Sequence, residues 1–295
     1  MDRQAELAIV RRTYAKQILA AARISDPRIE TAFAEVARED FLGPGPWQLF
    51  RVPSDAYIAS PDADPIYVYI DQVIGLIPER GINNGQPSLH AKLIAAAQIK
   101  PGEHVVHVGA GTGYYTAIMA HLVGPTGKVT AIEFDTTLAV RARKCLSGSL
   151  NVRVLEGDGS TVRFDAADVI YVNAGVTHPA GAWLDGLSDG GRLILPLTTD
   201  ENFRSVSSTS FDPMIAMRSG VFFRIQRREA RFEAHGLLPT AIIPAEGARD
   251  QASEAALAAA LNKGGWNTVT RLVRDEAVPE ERCWLRGDGW CLARD

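Results

Sequence analysis

Cysteine is scarce in this sequence: three residues, Cys145, Cys283 and Cys291. Their number is odd and no two stand in a C-x-x-C spacing, so reduced thiols are expected rather than a disulfide or zinc framework. No apolar run reaches the roughly 18 residues that suggest a membrane span. The opening text, MDRQAELAIVRRTYAK, lacks the basic-then-apolar layout of a signal peptide. A cytoplasmic protein with no membrane partner is expected. Positive charge is not in excess either: 31 Lys and Arg face 35 Asp and Glu, a formal net charge of −4. That balance argues against broad capture of nucleic acid. Internal repeats, low-complexity tracts and metal-ligand clusters with useful spacing are missing, so no metal is expected. What is present is ordinary globular text, 46% hydrophobic and 22% charged over 295 residues. That length suits one large domain, or one plus an appendage.

The text divides into three stretches. Residues 1–80 read as a helical and loop-rich cap. Leu7, Val10, Tyr14 and Ile18 recur at helical spacing, and Asp26-Pro27 has the order of an N-cap and first helical residue. Eight of the sixteen prolines fall between positions 44 and 101, which marks that region as rich in loops, with Ile66–Asp71 a candidate short strand. Residues 81–235 alternate apolar runs with helix-like text: Val105–Val108, Val129–Phe134, Val152–Glu156, Val169–Val172 and Leu193–Leu197. Uninterrupted apolar strands alternating with helices predict an α/β fold, a doubly wound, mostly parallel Rossmann-like sheet with helices on both faces. Val221–Arg227 and Ala230–His235 read as strands pairing antiparallel at its edge. Residues 236–295 read as a C-terminal α+β extension, with a helix over Gln251–Asn262 and strands near Val269–Val273 and Trp284–Leu292.

The central signal is Val105-Val-His107-Val-Gly109-Ala110-Gly111-Thr112-Gly113, a strand running into three glycines and then a helix. Glycines there let the backbone take positive φ and let a ligand approach closely. A dinucleotide fingerprint would need Gly or Ala at 114, where Tyr114 stands. A P-loop would need Gly-Lys followed by Ser or Thr, but Gly127-Lys128 precedes Val129. A cofactor without a pyrophosphate is favoured. Glu133, followed by Phe134, ends the second strand, where a carboxylate can accept both hydroxyls of a ribose. Asp158 follows the third strand within Gly157-Asp158-Gly159, placed to accept from an exocyclic adenine amine.

This constellation resembles the class I S-adenosylmethionine-dependent methyltransferases, and within them the protein-L-isoaspartate O-methyltransferase family, over about residues 30–200. The matching text includes Val36-Ala-Arg-Glu-Asp40-Phe41, Gln86-Pro87, Lys100-Pro-Gly-Glu, Gly109–Gly113, Glu133, Gly157-Asp158-Gly159 and Gly190-Gly-Arg-Leu-Ile-Leu-Pro196. The resemblance implies S-adenosyl-L-methionine as cofactor and S-adenosyl-L-homocysteine as product. It implies that Gly109–Gly113 face the methionine part, Glu133 the ribose and Asp158 the adenine. Asn173, opening the segment after the fourth strand, joins the same set. There are departures. The family's Thr-Ile-Ser-x-Pro loop reads Asn83-Asn84-Gly85-Gln86-Pro87 here, so Gly85 stands at the serine that helps position the accepting carboxylate. His107 stands where an acid is common, and Asn173-Ala174-Gly175 replaces an alanine-rich segment.

Methyl transfer is an in-line displacement to which a protein contributes chiefly alignment and exclusion of water. A carboxylate acceptor is ionised at neutral pH and needs no base; a phenol or amine acceptor does. Candidate bases are His90, His178, Tyr114, Tyr115 and Asp71. Asn84, Gly85 and His90 are the candidate catalytic residues, with the amides and N–H groups of Asn83, Asn84 and Gly85 placed to orient an acceptor. Three readings stay open: methylation of a protein or peptide carboxylate, methylation of a small-molecule oxygen or nitrogen, and a non-catalytic cofactor-binding module. Oligomeric state is open, with a homodimer among the options.

Overall fold

The computed structural model describes residues 2–51, 56–200 and 219–295. In chain order, the elements used below are α1 (Arg3–Ala22), α2 (Pro27–Glu35), β1 (Gln48–Arg51), β2 (Ala56–Ala59), β3 (Gly75–Ile77), β4 (Ile82–Asn83), α3 (Pro87–Ala97), β5 (His104–Val108), α4 (Tyr114–Val123), β6 (Lys128–Glu133), α5 (Thr136–Cys145), β7 (Val152–Glu156), β8 (Ala167–Val172), α6 (Gly181–Gly186), β9 (Leu187–Thr198), β10 (Gly220–Arg228), β11 (Arg231–Pro239), α7 (Gln251–Lys263), β12 (Arg271–Arg274), β13 (Cys283–Gly287) and β14 (Trp290–Ala293). They fall into two compact units, one made of residues up to 103 and 110–156, the other of 104–109 and 157–295.

In the first unit, α2 starts as its sequence dictates. The Asp26 carboxylate accepts from the Arg28 N–H at 2.9 Å, and Pro27 takes a position whose N–H would have no helical partner. Ile29, Ala32 and Phe33 are its buried face. α4 is buried nearly all round, through Tyr114, Tyr115, Ile118, Met119 and Leu122. β6 and β7 pair in parallel, with Val129 opposite Val152 and Glu133 opposite Glu156. The Asp135 carboxylate caps α5 through the Leu138 N–H at 3.0 Å, and Arg80 holds it at 2.5 Å. The stretch expected as a strand at Ile66–Asp71 is instead a single 3-10 turn over Pro65–Val68. Asp64 caps that turn through the Ile66 N–H at 3.0 Å, so an Asp-Pro turn start overrides the apolar alternation behind it.

The second unit carries a sheet in the order β13-β14-β12-β11-β10-β9-β8-β5. β5 and β8, and β8 and β9, pair in parallel. Every residue of β5 and all but one of β8 are buried, as the continuous apolar runs require. The α/β class expected from the sequence therefore holds. From β9 onward the pairing is antiparallel. The hairpin β10–β11 was expected at the sheet edge, and this is corrected: β12, β14 and β13 continue the sheet beyond it. Along β11, exposed Arg231, Glu233 and His235 alternate with buried Phe232 and Ala234. The thiol expectation is corrected too, because Cys283 and Cys291 are joined by a disulfide between neighbouring strands, with Cα atoms 6.2 Å apart. Cys145 remains a free thiol. No helix among the described residues is long and apolar enough to cross a membrane.

Candidate active site

The glycine turn has the backbone its sequence asks for. Gly109, Gly111 and Gly113 all take positive φ, at +74°, +58° and +98°. The Gly113 N–H closes the turn on the Ala110 carbonyl at 2.9 Å, and the Ala110 N–H bonds the Ile132 carbonyl at 3.2 Å. Ala110 and Thr112 are buried. In the first unit this turn meets Glu133: the Gly111 N–H donates to Glu133 Oε2 at 2.6 Å, and the Asp135 N–H to Oε1 at 2.9 Å. Burial pushes the Glu133 carboxyl above its ordinary range, against the pull of the Asp135 and Gly111 N–H groups. A carboxylate offers about four acceptor positions, so each oxygen keeps capacity for a further donor. A buried, oriented acceptor pair of this kind fits the vicinal diol of a ribose. Phe134, the next residue, is 53% exposed.

In the second unit, Gly109 meets Asn173. The Asn173 N–H donates to the Val108 carbonyl at 2.8 Å and its side-chain amide to the Gly109 carbonyl at 3.3 Å. A Cβ on Gly109 would press on the Asn173 carbonyl at 3.1 Å. Asp158 Oδ1 accepts from the Ser160 N–H at 2.8 Å and hydroxyl at 2.7 Å, leaving Oδ2 without a partner among the described residues. Gly157 takes φ +145°, and a Cβ on it would reach Val162. Gly159 lies against the Val108 side chain and accepts from the Trp183 indole N–H at 2.7 Å. Asp158 thus keeps one carboxylate oxygen available, which suits an amine donor.

The candidate acceptor loop lies in the first unit. Gly85 has φ +72°, and a Cβ there would overlap His90 Nε2. The His90 ring is buried in α3 and stacks on Tyr115 at 3.7 Å between centroids. The Tyr115 hydroxyl donates to the Gly85 carbonyl at 3.2 Å, and Asn83 Oδ1 accepts the Gly85 N–H at 2.8 Å. Asn84 Oδ1 accepts from the Ile74 N–H and from Arg38, both at 3.1 Å, so this side chain shapes the loop. Asp71 caps α3, accepting the Ser88 N–H at 2.9 Å. His178, in the second unit, lies 3.5 Å from the Asp250 carboxylate, and burial lowers its pKa. Among the described residues no group of His, Cys, Asp and Glu is placed to hold a metal ion.

Arg38 was not singled out from the sequence as a site residue, although it sits in the matching text. It is fully buried and donates to the carbonyls of Val68, Ile70 and Gln72 at 2.7–2.8 Å as well as to Asn84. Its guanidinium also lies over the Tyr14 and Tyr114 rings. Nothing local distinguishes an arginine that will be buried from one that will be solvated.

Comparison with known proteins agrees with this geometry. The family model for protein-L-isoaspartate(D-aspartate) O-methyltransferase matches residues 13–218. A protein-L-isoaspartate O-methyltransferase of Ignicoccus hospitalis is 35% identical over 162 residues, 54% of this chain and 69% of that protein. One from Koribacter versatilis is 34% identical over 182 residues, 60% of this chain and 72% of its own length. A solved protein-L-isoaspartate O-methyltransferase superposes with a TM-score of 0.63 at 27% identity, covering 80% of this chain and 66% of that one. A Plasmodium falciparum structure in complex with S-adenosyl-L-homocysteine, 16% identical with a TM-score of 0.60 over 80% of this chain, shares the fold. The buried Glu133 at a glycine turn and a family match spanning most of the chain lead to one assignment: this chain belongs to the protein-L-isoaspartate(D-aspartate) O-methyltransferase family of S-adenosyl-L-methionine-dependent methyltransferases.

Proposed function

We propose that this enzyme methylates a carboxylate oxygen of a protein or peptide, by in-line transfer. When bound, S-adenosyl-L-methionine supplies an electrophilic methyl group on a sulfonium. Glu133 holds the ribose hydroxyls, with Phe134 beside it, and the free oxygen of Asp158 takes the adenine amine between Gly157 and Gly159. Gly109, Ala110, Gly111, Thr112, Gly113 and Asn173 form the turn that admits the methionine part. The observation that carries the donor reading is the Gly111–Glu133 bond, which fixes a buried carboxylate at the turn.

On the acceptor side, the reference carboxyl pKa near 4 means the nucleophile arrives ionised, so the chain need only orient it. His90 performs that orientation, with Gly85 leaving room for its ring and Asn84 setting the loop. Neither Asp71, engaged as a helix cap, nor His178 is needed as a base. Gly85 favours a second reading, in which the same transfer serves a small-molecule oxygen or nitrogen, because no hydroxyl side chain stands at that position. The cytoplasmic placement belongs to this proposal. One observation weighs against it, the Cys283–Cys291 bridge, since disulfides are rare in reducing compartments.

The test is label transfer from methyl-labelled donor to an isoaspartyl peptide, its aspartyl isomer and a panel of small acids, phenols and amines. Base-labile label on a peptide supports the carboxylate reading. Label confined to the small molecules overturns it in favour of the second. Glu133→Gln should weaken S-adenosyl-L-homocysteine binding by about 1–3 kcal/mol in calorimetry, the worth of hydrogen bonds to a charged group. Unchanged affinity removes Glu133 from the donor site.

A further inference from the structure

Past the end of the family match at residue 218, the chain returns to the second unit's strand ends. Residues 243–250 run alongside the loop 173–178. The Gly175 N–H donates to the Ile243 carbonyl at 2.7 Å, the Ala245 N–H to the Gly175 carbonyl at 2.8 Å, and the Thr177 N–H to the Ala248 carbonyl at 3.1 Å. Arg249 fastens the same segment. Only 11% of its side chain is exposed. It donates to the Gly175 and Thr198 carbonyls at 2.7 and 3.2 Å and pairs with Asp200 at 2.7 Å and Glu254 at 2.6 Å.

Between these fastenings lies Gly247. A Cβ there would overlap both carboxylate oxygens of Asp158. Glycine is thus the one residue type that lets this backbone approach Asp158 without displacing it. The other side of loop 173–178 reaches the glycine turn through Asn173 and Gly109. One continuous run of contacts therefore joins the extension, the loop and the strand end that opens the donor turn.

We propose that residues 243–250 form a fixed wall at the adenine end of the donor site, with Gly247 fitted against Asp158. This rests on the reading of Asp158 as the adenine partner. The segment is a wall rather than a gate, because swinging it away would break three backbone hydrogen bonds and leave a mostly buried arginine without its carbonyls and carboxylates. The wall covers one side of the half-buried Asp158 carboxylate, and a carboxylate with less water around it gains more from an amine donor.

Calorimetry with S-adenosyl-L-homocysteine tests the proposal on the full chain. Gly247→Ala should lower affinity about tenfold, and Gly247→Val more. Arg249→Gln, which loosens the wall, should lower it too. Tighter binding by Arg249→Gln would mean that the segment obstructs the site, and would overturn the wall. S-inosyl-L-homocysteine, which carries an oxo group in place of the amine, should bind the native chain more weakly, and Gly247→Val should narrow the difference. If Asp158→Ala weakens binding and Gly247→Ala does not, the wall fails and the adenine assignment stands. If neither matters, the Asp158 reading itself fails. Should Arg249→Gln not fold, hydrogen exchange on the native chain decides: the amides of Ala245 and Thr177 should exchange more slowly with ligand, and unchanged rates overturn the proposal.

Discussion

Glycine serves different partners in the turn at 109–113, where it bends the backbone around a carboxylate, and in the loop at 85, where it yields to a histidine ring. In the turn, positive φ at three alternate positions bends the chain so that the Gly111 N–H points at Glu133; a Cβ would stay clear of neighbours only at Gly111, while one on Gly109 would press on Asn173 and one on Gly113 would overlap Leu146. In the loop, the space that a Cβ would fill is already taken by the protein's own His90. The turn shapes the backbone around the Glu133 carboxylate; the loop makes room for an imidazole. A glycine pattern alone therefore does not announce a ligand, since Gly109, Gly113 and Gly85 each spare a contact with the protein's own atoms.

The surroundings differ as well. The loop is hung on one buried cation, Arg38, whose guanidinium satisfies three carbonyls between residues 68 and 72 and fixes Asn84. The turn hangs on regular secondary structure, the end of β5 and the start of α4. Arg38→Met should therefore break the loop first. Removing the donor to several buried acceptors costs about 3–5 kcal/mol, the largest effect expected of any single change here. Urea unfolding would read it. A variant within about 0.5 kcal/mol of the native chain would mean that the carbonyls find other donors.

The strand that feeds the turn has its own weakness. His107 in β5 is buried beside Tyr171, and burial pushes its pKa down to about 3 from 6.5. The unfolded chain then binds this proton at a higher pH than the folded one. The stability it allows is fully present above pH 6.5 and drains away as the pH falls toward 3. Between pH 7 and pH 5 the native chain should lose about 2 kcal/mol on this account. His107→Leu should remove that part of the loss in urea titrations at the two pH values. Equal losses in both proteins would show that His107 does not carry the acid sensitivity.

The contrast between turn and loop also explains what the sequence made legible. The turn could be read because its requirement is local: an apolar strand, glycines at fixed offsets and an acid at the next strand end. The Asp26 cap and the β10–β11 hairpin were readable for the same reason. Gly85 was visible as a departure from its family, but the cause lay in a ring five residues on, placed by the stacking of His90 on Tyr115. Gly247 gave no signal, since its constraint comes from Asp158, 89 positions earlier. The Cys283–Cys291 bridge was missed because strand pairing, not spacing, brings the two together. At Ile66–Asp71 the apolar alternation was real, but the Asp64-Pro65 start turned it into a 3-10 turn.

The smallest effect is the most informative about the loop. Gly85→Ala combines two penalties, a side chain at φ +72° and an overlap with His90 Nε2. The first, about 1–2 kcal/mol, persists whatever residue 90 is. The second disappears once the imidazole is gone. A double-mutant cycle with His90→Ala should therefore return a coupling of about 1 kcal/mol, with Gly85→Ala costing less in the His90→Ala background. Additivity would mean that the ring shifts freely and the two positions are independent. Serine in place of alanine carries the cycle from stability to chemistry. Gly85→Ser alone should fold poorly because its side chain has nowhere to go. Combined with His90→Ala, the same hydroxyl gains the vacated space beside the Tyr115 ring. Isoaspartyl methylation raised in the double variant and not in either single one would make His90, rather than the glycine, the residue that sets the acceptor apart from the family's.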